Sequence, residues 1–392
     1  MRQRHYTLTP AHVRAHAQLL LQKHFRLQDH GPKCTAGTLW AVLLWAASRI
    51  ASLAAACAAL RDAPSDSAFR DALLATLPGP HELQLRANRA LRGELPPCLR
   101  RRRQPLAIDL HLVPYHGLPL RDELEVYRSC AKDGTSHFHA YATCYVIRKG
   151  RRFTLALTAV RRGEPLQDVI RRLLGQAAKA GVRPRYLLLD RGFCSVAVLR
   201  SLQAGRRAFL MPLPLRGRKP DHPKGPSGSR AFAAWKRSGW SRYTLTDGHG
   251  RRATVAVCVK CRNLRGERRQ RGRQALVYAY GGGLRPASYQ WVKETYRSRF
   301  AIETTYRQLQ QARIRTSTRD PLLRFLYVAV ALILRNVWVW LHWQVLAQRR
   351  RGGRRVDTDR LPFRAMLLWL QHWAEQLLGV RDQIRVECWT GT

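Results

Sequence analysis

Acidic residues and lysines are scarce in this chain. Of 392 residues, 25 are Asp or Glu and 70 are Lys or Arg, which gives a formal net charge of +45. Repulsion on this scale works against a compact fold unless a polyanion binds, so nucleic acid is the expected partner and an anionic membrane surface the alternative. By count, 60 of the basic residues are Arg. We attribute that ratio to a GC-rich genome and the total charge to nucleic-acid binding.

Regular cysteine spacing and a secretory signal are also missing. The nine cysteines form an odd, scattered set, which indicates reduced thiols in an intracellular protein. Cys258 and Cys261 are the one close pair, but positions three apart on a strand face opposite sides, so we do not expect a structural zinc site. The first residues lead into an amphipathic helix rather than an apolar core. These absences exclude a disulfide-rich secreted domain.

One apolar stretch, residues 322–346, is long enough to raise the question of a membrane span. It contains Arg324, Arg335 and His342, and ionised side chains at a bilayer centre are costly. We therefore predict a helix buried in a large protein core, and no membrane partner.

Helices are predicted in both terminal regions of the chain, residues 1–100 and 352–392. In residues 1–100, Thr9-Pro10 opens one helix and Ser65 caps another, which predicts an all-α N-terminal domain. This domain either contains a DNA-binding helix-turn-helix or forms a packing layer without DNA contact. Residues 352–392 are predicted to hold a last helix, 361–378, as a dimerisation element.

The middle of the chain predicts an α/β domain. Helices are expected at 166–180 and 195–204, and long helices at 287–316 and 320–349. Five strands fit a mixed sheet with flanking helices; they are expected at 106–113, 138–147, 153–160, 185–190 and 207–213. The core is thus assigned to residues 104–213 and 286–348.

A basic, Gly- and Pro-rich insertion, residues 214–285, interrupts this core and contains short strand-like pieces. From Arg206 to Arg273 there are 19 basic and three acidic side chains, which favours DNA contact. Trp240 lies in this segment, and an exposed tryptophan can stack on a base. The alternative is a solvated insertion whose aromatic residues form a small core of their own.

Three acids stand out against this basic background. Asp109 lies within an apolar run, Asp190 ends another, and Glu303 lies on the predicted helix 287–316. Two divalent ions about 4 Å apart can support an in-line phosphoryl displacement, and Mg²⁺ prefers carboxylate oxygen. Three carboxylates on separate elements suit such a site.

The helix that carries Glu303 has a polar face. Tyr296, Arg299, Glu303 and Gln310 recur at intervals of three, four and seven residues, so they share one side. Arg299 and Arg307 flank Glu303 by four residues each. This spacing is also that of a surface ion-pair ladder, but two further acids in strand contexts favour the metal site.

The spacing Tyr296-x2-Arg299-x3-Glu303-x6-Gln310 resembles the Tyr-Arg-Glu-Lys signature of a superfamily of bacterial and archaeal insertion-sequence transposases. These are DDE enzymes with an RNase H-like core. The signature lysine corresponds to Gln310 here. A neutral amide weakens a phosphate contact at this position, for which Arg307 or Arg313 could substitute.

Other motifs extend the resemblance from about residue 104 to 345. The Asp109 segment with Pro114-Tyr115-His116-Gly117 is similar to the first motif of these enzymes, and Leu189-Asp190-Arg191-Gly192-Phe193 to the second. Phe138-His139-Ala140-Tyr141-Ala142-Thr143 resembles a branch common in haloarchaea. A β-rich insertion before the glutamate helix matches residues 214–285.

The resemblance implies an RNase H-like five-stranded sheet and cut-and-paste DNA transposition. The enzyme would bind terminal inverted repeats, nick DNA and transfer strands. Asp109, Asp190 and Glu303 would be the catalytic ligands of two Mg²⁺ ions, for which Mn²⁺ could substitute. Residues expected to contact DNA are Tyr296, Arg299, Arg307, Gln310 and, from our own reading of the residues, Arg191 and Trp240.

The expected partners are double-stranded DNA at transposon ends and target, and a second copy of the chain in a homodimeric synaptic complex. The expected location is the nucleoid of a prokaryotic cytoplasm. Two alternatives stay open: a domesticated, non-catalytic DNA-binding protein, which Gln310 favours, and a structure-selective RNase H-like nuclease.

Overall fold

In the computed structural model, the described residues are 7–120, 122–264, 272–300, 308–351 and 353–383. The chain divides into two compact units. One contains the β-sheet and comprises Pro96–Tyr115 and Val126–Thr304. The other is mainly helical and comprises Met1–Leu95, His116–Glu125 and Thr305–Thr392.

The centre of the sheet has the order β4-β3-β1-β5-β6. Strand β1 pairs antiparallel with β3 and parallel with β5, and β5 pairs parallel with β6. The predicted mixed α/β fold is therefore confirmed. These strands are β1 (Gln104–Pro114), β3 (Thr135–Val146), β4 (Thr154–Val160), β5 (Pro184–Leu189) and β6 (Phe209–Pro212).

The sheet has nine strands in the described residues, so the expectation of five is wrong. Strand β2 (Tyr127–Lys132) pairs with β3. The insertion forms β7 (Gly239–Thr246), β8 (Arg252–Leu264) and β9 (Gly272–Gly281), and β9 pairs antiparallel with β6. The insertion thus continues the sheet, because β6 would otherwise leave an unpaired edge.

Helices cover the sheet. Helix α7 (Leu166–Lys179) packs on β4 and β3 through Val169, Leu173 and Ala177, which are fully buried. The sequences of β1 and β5 are continuously apolar, because parallel strands are covered on both faces of the sheet. The remaining helices of this unit are α6 (Cys98–Arg101), α8 (Val196–Ala204) and α9 (Tyr289–Arg297).

The helical unit is built from seven helices and a short hairpin in its described residues. Thr9 and Ser65 cap the first and fourth helices, as predicted, by accepting backbone N–H groups of His12 and Ala68. The helices are α1 (Pro10–Phe25), α2 (Ala36–Arg49), α3 (Leu53–Ala59), α4 (Asp66–Thr76), α5 (Pro80–Gly93), α10 (Pro321–Trp340) and α11 (Phe363–Leu378), and the hairpin is β10 (Gln348–Arg350) with β11 (Gly353–Arg355).

Helix α10 is apolar on every side. The span Pro321–Leu346 is long and apolar enough to cross a membrane, but 89% of its most apolar window is buried. It packs against α1, α2, α5 and α11, and Asn336 Nδ2 donates to the Leu91 carbonyl at 3.2 Å. The prediction of a buried helix is confirmed. Residues from 305 onward group with the helical unit, and the assignment of residues 286–348 to the catalytic core stays a prediction.

The predicted continuous helix 287–316 is wrong. Helix α9 ends at Arg297 and a 3-10 turn follows at Ser298–Phe300. Residues 308–311 are helical, but Arg315 pairs with Ser52 as a β-bridge. That bridge takes the backbone of Arg315 out of any helix, which periodicity in the sequence does not reveal.

Candidate active site

Asp109 and Asp190 lie side by side in the sheet. Strands β1 and β5 run parallel with Ile108 opposite Leu189, so the next residue on each strand is an aspartate. Asp190 directly follows the last residue of β5. Loops at the carboxyl ends of parallel strands are where α/β proteins bind ligands. Two acids that are 81 positions apart in the sequence therefore meet at one edge of the sheet.

Arg299 bridges the two carboxylates. Its Nη1 lies 3.6 Å from Asp109 Oδ2 and its Nη2 lies 3.4 Å from Asp190 Oδ1. The Arg299 side chain is 9% exposed, that of Asp109 is 16% exposed and that of Asp190 is 46% exposed. Burial opposes the guanidinium charge, but Tyr296 and the two aspartates outweigh it, and the net effect raises the pKa of Arg299.

Tyr296 supports the same cluster. Its hydroxyl donates to Asp190 Oδ1 at 3.5 Å, a long hydrogen bond. The guanidinium carbon of Arg299 lies 5.2 Å from the Tyr296 ring centroid, within cation–π range. Burial raises the pKa of the Tyr296 hydroxyl, and the nearby Asp190 adds to that shift. The phenol therefore stays protonated and donates to the carboxylate.

Helix α9 positions both of these side chains. Ser288 caps it by accepting the Trp291 backbone N–H at 3.0 Å. The buried residues Val292, Thr295 and Tyr296 form the inner side of the helix, since positions three and four apart share a face. Arg299 follows in the 3-10 turn. Tyr296 and Arg299 both reach Asp190, while a face shared with Glu303 and Gln310 stays a prediction.

The structure gives these two residues contacts that the sequence did not suggest. Both were expected to bind DNA phosphates, but Tyr296 is 5% and Arg299 7% exposed, and each contacts an aspartate. Their phosphate contacts stay a prediction. Glu303 and Arg307 lie outside the described residues. Gln310 is exposed, belongs to the helical unit and accepts from Arg313 Nη1 at 3.4 Å.

A basic cavity adjoins the aspartates. It has a volume of about 580 Å³ and contains Tyr296 in its wall. Arg191 was predicted from the sequence as a phosphate contact, but the other basic residues of the cavity were not. A signal was present for two of them, because Lys293 and Arg297 are four apart on one helix and therefore share a face. The cations that line it are Arg191, Arg262, Lys293 and Arg297. This set can hold phosphate groups beside the carboxylates.

Trp240 is the exposed aromatic residue that the sequence singled out. It is 41% exposed and lies on β7 against Tyr289, with ring centroids 4.6 Å apart. Tyr280 meets it edge to face at 5.7 Å. These neighbours hold the indole in place while leaving part of it open to solvent.

The two carboxylates fit a hard divalent cation. Both are oxygen donors, the kind Mg²⁺ and Mn²⁺ prefer, and Arg299 already stands in as a cation between them. Within the described ranges, no group of three or more His, Cys, Asp or Glu residues could hold a metal ion. A third ligand from Glu303 would lie outside those ranges.

Comparison with known proteins identifies the family. Residues 101–337 match the family described as transposase DDE domain. No curated protein matches the chain. The fold is similar to that of piggyBac transposase in a synaptic complex with hairpin DNA, with 12% identity, a TM-score of 0.50, and coverage of 95% of this chain and 78% of that one. The family match spans more than half of the sequence, and the chain therefore belongs to the DDE-domain transposases and acts in DNA transposition.

Proposed function

We propose that this protein binds transposon terminal inverted repeats and catalyses metal-dependent DNA cleavage and strand transfer, in cut-and-paste transposition. The observation that carries the proposal is the convergence of Asp109 and Asp190 at the carboxyl ends of adjacent parallel strands, with Arg299 between them. In a chain of net charge +45, paired carboxylates beside a basic cavity suit a cation site that works on a polyanion.

Each residue has a task in this proposal. Asp109, Asp190 and Glu303 bind two Mg²⁺ ions, or Mn²⁺ in their place, which when bound supply Lewis-acid activation of the attacking and leaving oxygens. Before metal binds, Arg299 offsets part of the negative charge and positions the carboxylates, and Tyr296 orients Asp190. Phosphates of the DNA are held by the cations of the adjoining cavity. Arg307 and Gln310 stay predicted DNA contacts.

We also assign the core to the RNase H-like class and to the branch with the Tyr-Arg-Glu-Lys signature that is common in haloarchaea. The order β4-β3-β1-β5-β6, with β3 the antiparallel member beside β1, supports an RNase H-like core. The motif spacing from Tyr296 to Gln310 supports the branch, with Gln310 at the lysine position.

The partners in this proposal are DNA at the transposon ends and target, and a second copy of the chain. A synaptic complex holds two ends, so we infer a homodimer without a membrane partner, at the nucleoid of a prokaryotic cytoplasm. Residues 352–392 are the proposed dimer element; exposed Leu368 and Leu377 on α11 support it. Residues 1–100 are the proposed DNA-binding domain, and their cluster of short helices supports this.

Cleavage of end DNA tests the proposal. Short inverted repeats taken from the DNA that flanks the gene, end-labelled and mixed with full-length protein and Mg²⁺, should be nicked at one defined phosphate. Asp190→Ala should lose nicking and keep binding. Asp168→Ala should behave as wild type, because Asp168 is a half-exposed acid on α7 paired with Arg171 at 2.9 Å.

Other outcomes assign other functions. Binding of the ends by wild-type protein without any nicking would identify a domesticated DNA-binding protein. Cutting of branched DNA without joining to a plasmid would identify a structure-selective nuclease. Retention of nicking by Asp190→Ala would remove that residue from the catalytic site.

A further inference from the structure

A second basic cavity lies at the opposite edge of the sheet. It occupies about 340 Å³ near the amino ends of parallel strands β5 and β6. Five arginines line it and no acidic residue does. All five are exposed: Arg103, Arg183, Arg185, Arg206 and Arg207.

Backbone contacts hold these arginines in place. The Gln104 N–H donates to the Arg183 carbonyl at 2.8 Å, and the Arg207 N–H donates to the Leu202 carbonyl at 2.9 Å. Gly282 has a φ of +63°, and a Cβ there would lie 1.8 Å from the Arg207 carbonyl oxygen. Only glycine permits this approach, so the two chain segments are locked together in the cavity wall.

No acidic residue in the lining of this cavity offsets the positive charge of its arginines. At the aspartate site, one buried guanidinium faces two carboxylates, whereas here five guanidiniums surround one cavity. Like charges at short range repel each other, and bound phosphate removes that repulsion. Guanidinium groups match phosphate oxygens in pairs, and the Arg185 guanidinium lies 6.0 Å from the Tyr186 ring centroid, which orients it at the rim.

The distance between the two sites suggests which DNA binds. Strand β5 spans Pro184–Leu189, so the arginine cavity and Asp190 are separated by about 20 Å at roughly 3.3 Å per residue. A phosphate held in the cavity is then too far away to be the one attacked at the aspartates. Strand transfer joins two DNA molecules, so a transposase must hold more DNA than the strand it cuts.

We propose that this arginine cavity binds the phosphodiester backbone of a DNA segment separate from the strand cut at Asp109 and Asp190. The proposal rests on the chain acting on DNA, but not on the identity of its catalytic residues. The proposed ligand is duplex DNA, and the arginines contact its phosphates and not its bases.

The test compares two triple variants of the full-length protein. Arg185→Ala, Arg206→Ala and Arg207→Ala together remove three of the five arginine charges that line the cavity. Arg161→Ala, Arg162→Ala and Arg200→Ala remove the same charge from exposed positions elsewhere in the sheet unit. Binding of a fluorescent 30-base-pair duplex of arbitrary sequence is measured by anisotropy across a salt series.

The cavity variant should lower the slope of log K against log salt by about 2 to 3, since each lost phosphate contact removes about 0.9. The control variant should change it by less than about 1. A triple Arg→Lys variant of the cavity should recover most of the slope, because it keeps the charge. Equal thermal melting of all variants shows that folding is intact.

Three results would overturn the proposal. The first is an equal slope change in the cavity and control variants. The second is a nicking rate, at saturating end DNA, that falls in the cavity variant alone, because the cavity would then hold the strand being cut. The third is saturable binding of inorganic pyrophosphate that the cavity variant loses while its DNA slope is unchanged, which would assign a small anion. Failure of wild-type protein to nick leaves the slope measurement intact, so the two proposals fail separately.

Discussion

The two edges of one sheet differ in their chemistry. Where β5 ends, Asp190 and Asp109 share the buried Arg299, whose single positive charge offsets only one of the two carboxylates. Where β5 begins, five exposed arginines meet without a carboxylate among the lining residues. The same parallel strands thus carry the proposed cation site at one edge and the proposed phosphate site at the other. In a protein with so few acids, two carboxylates meet at one edge and five arginines meet at the other.

Removal of divalent metal should separate the two edges most clearly. With EDTA in place of Mg²⁺, nicking of end DNA should fall by at least about 10³-fold, or about 4 kcal/mol of transition-state stabilisation. Binding of an arbitrary duplex should change less than threefold, because phosphate contacts by arginine need no metal. Gel-based nicking and anisotropy measure the two effects. If nicking and duplex binding are lost together, the aspartate site and the arginine cavity do not act independently.

Arg299→Met should destabilise the metal-free protein, because it leaves two neighbouring carboxylates without their cation. We expect a loss of about 1–3 kcal/mol, reduced by the partial exposure of Asp190, or a Tm about 3–8 °C lower. Added Mg²⁺ should restore more stability to this variant than to wild type. The control is Arg297→Met, an exposed neighbour on α9. Identical melting temperatures of the two variants, with and without Mg²⁺, would show that Arg299 does not stabilise the pair of carboxylates.

Trp240→Ala tests DNA contact that does not depend on charge. Stacking of a base on an aromatic ring contributes about 1–3 kcal/mol, so affinity for single-stranded DNA should fall about tenfold while the salt slope stays constant. Trp240→Phe, which keeps an aromatic face, should lose much less. Fluorescence anisotropy with a labelled oligonucleotide measures both. Unchanged affinity in the alanine variant would leave Trp240 a packing residue beside Tyr289.

Tyr296→Phe should have the smallest effect. It removes one long hydrogen bond to Asp190 and keeps the ring, so nicking should slow about 3- to 10-fold, or about 1 kcal/mol. Tyr278→Phe is the matched control, since its ring lies 5.2 Å from that of Tyr296 and burial raises the pKa of its hydroxyl to about 12. If the two variants slow nicking equally, the Tyr296 hydroxyl does not orient Asp190.

Local pattern was enough to find the strands that carry the aspartates. The predicted strands 106–113 and 185–190 correspond to Gln104–Pro114 and Pro184–Leu189, because buried parallel strands read as continuous apolar runs. The parallel pairing that joins them is not a local property. Neither this pairing nor the bridging position of Arg299 follows from the pattern of either segment.

Elements with polar sequences escaped prediction. Strand β2, Tyr127–Lys132, is largely exposed and is stabilised by backbone pairing with β3, which leaves no hydrophobic periodicity. The paired strands Gln348–Arg350 and Gly353–Arg355 were not predicted, because their sequences are equally polar. The arginines of the cavity come from three separate segments. In a chain with 60 arginines, none of these segments stands out in the sequence as part of a binding site.

Crystals of the protein grown with Mn²⁺ and measured at the manganese absorption edge would test the central claim most directly. We expect anomalous density at the carboxylates of Asp109 and Asp190, with the Arg299 guanidinium displaced from its position between them. Anomalous density located only elsewhere, with Arg299 still bound to both carboxylates, would contradict the assignment of these residues as the metal-binding core.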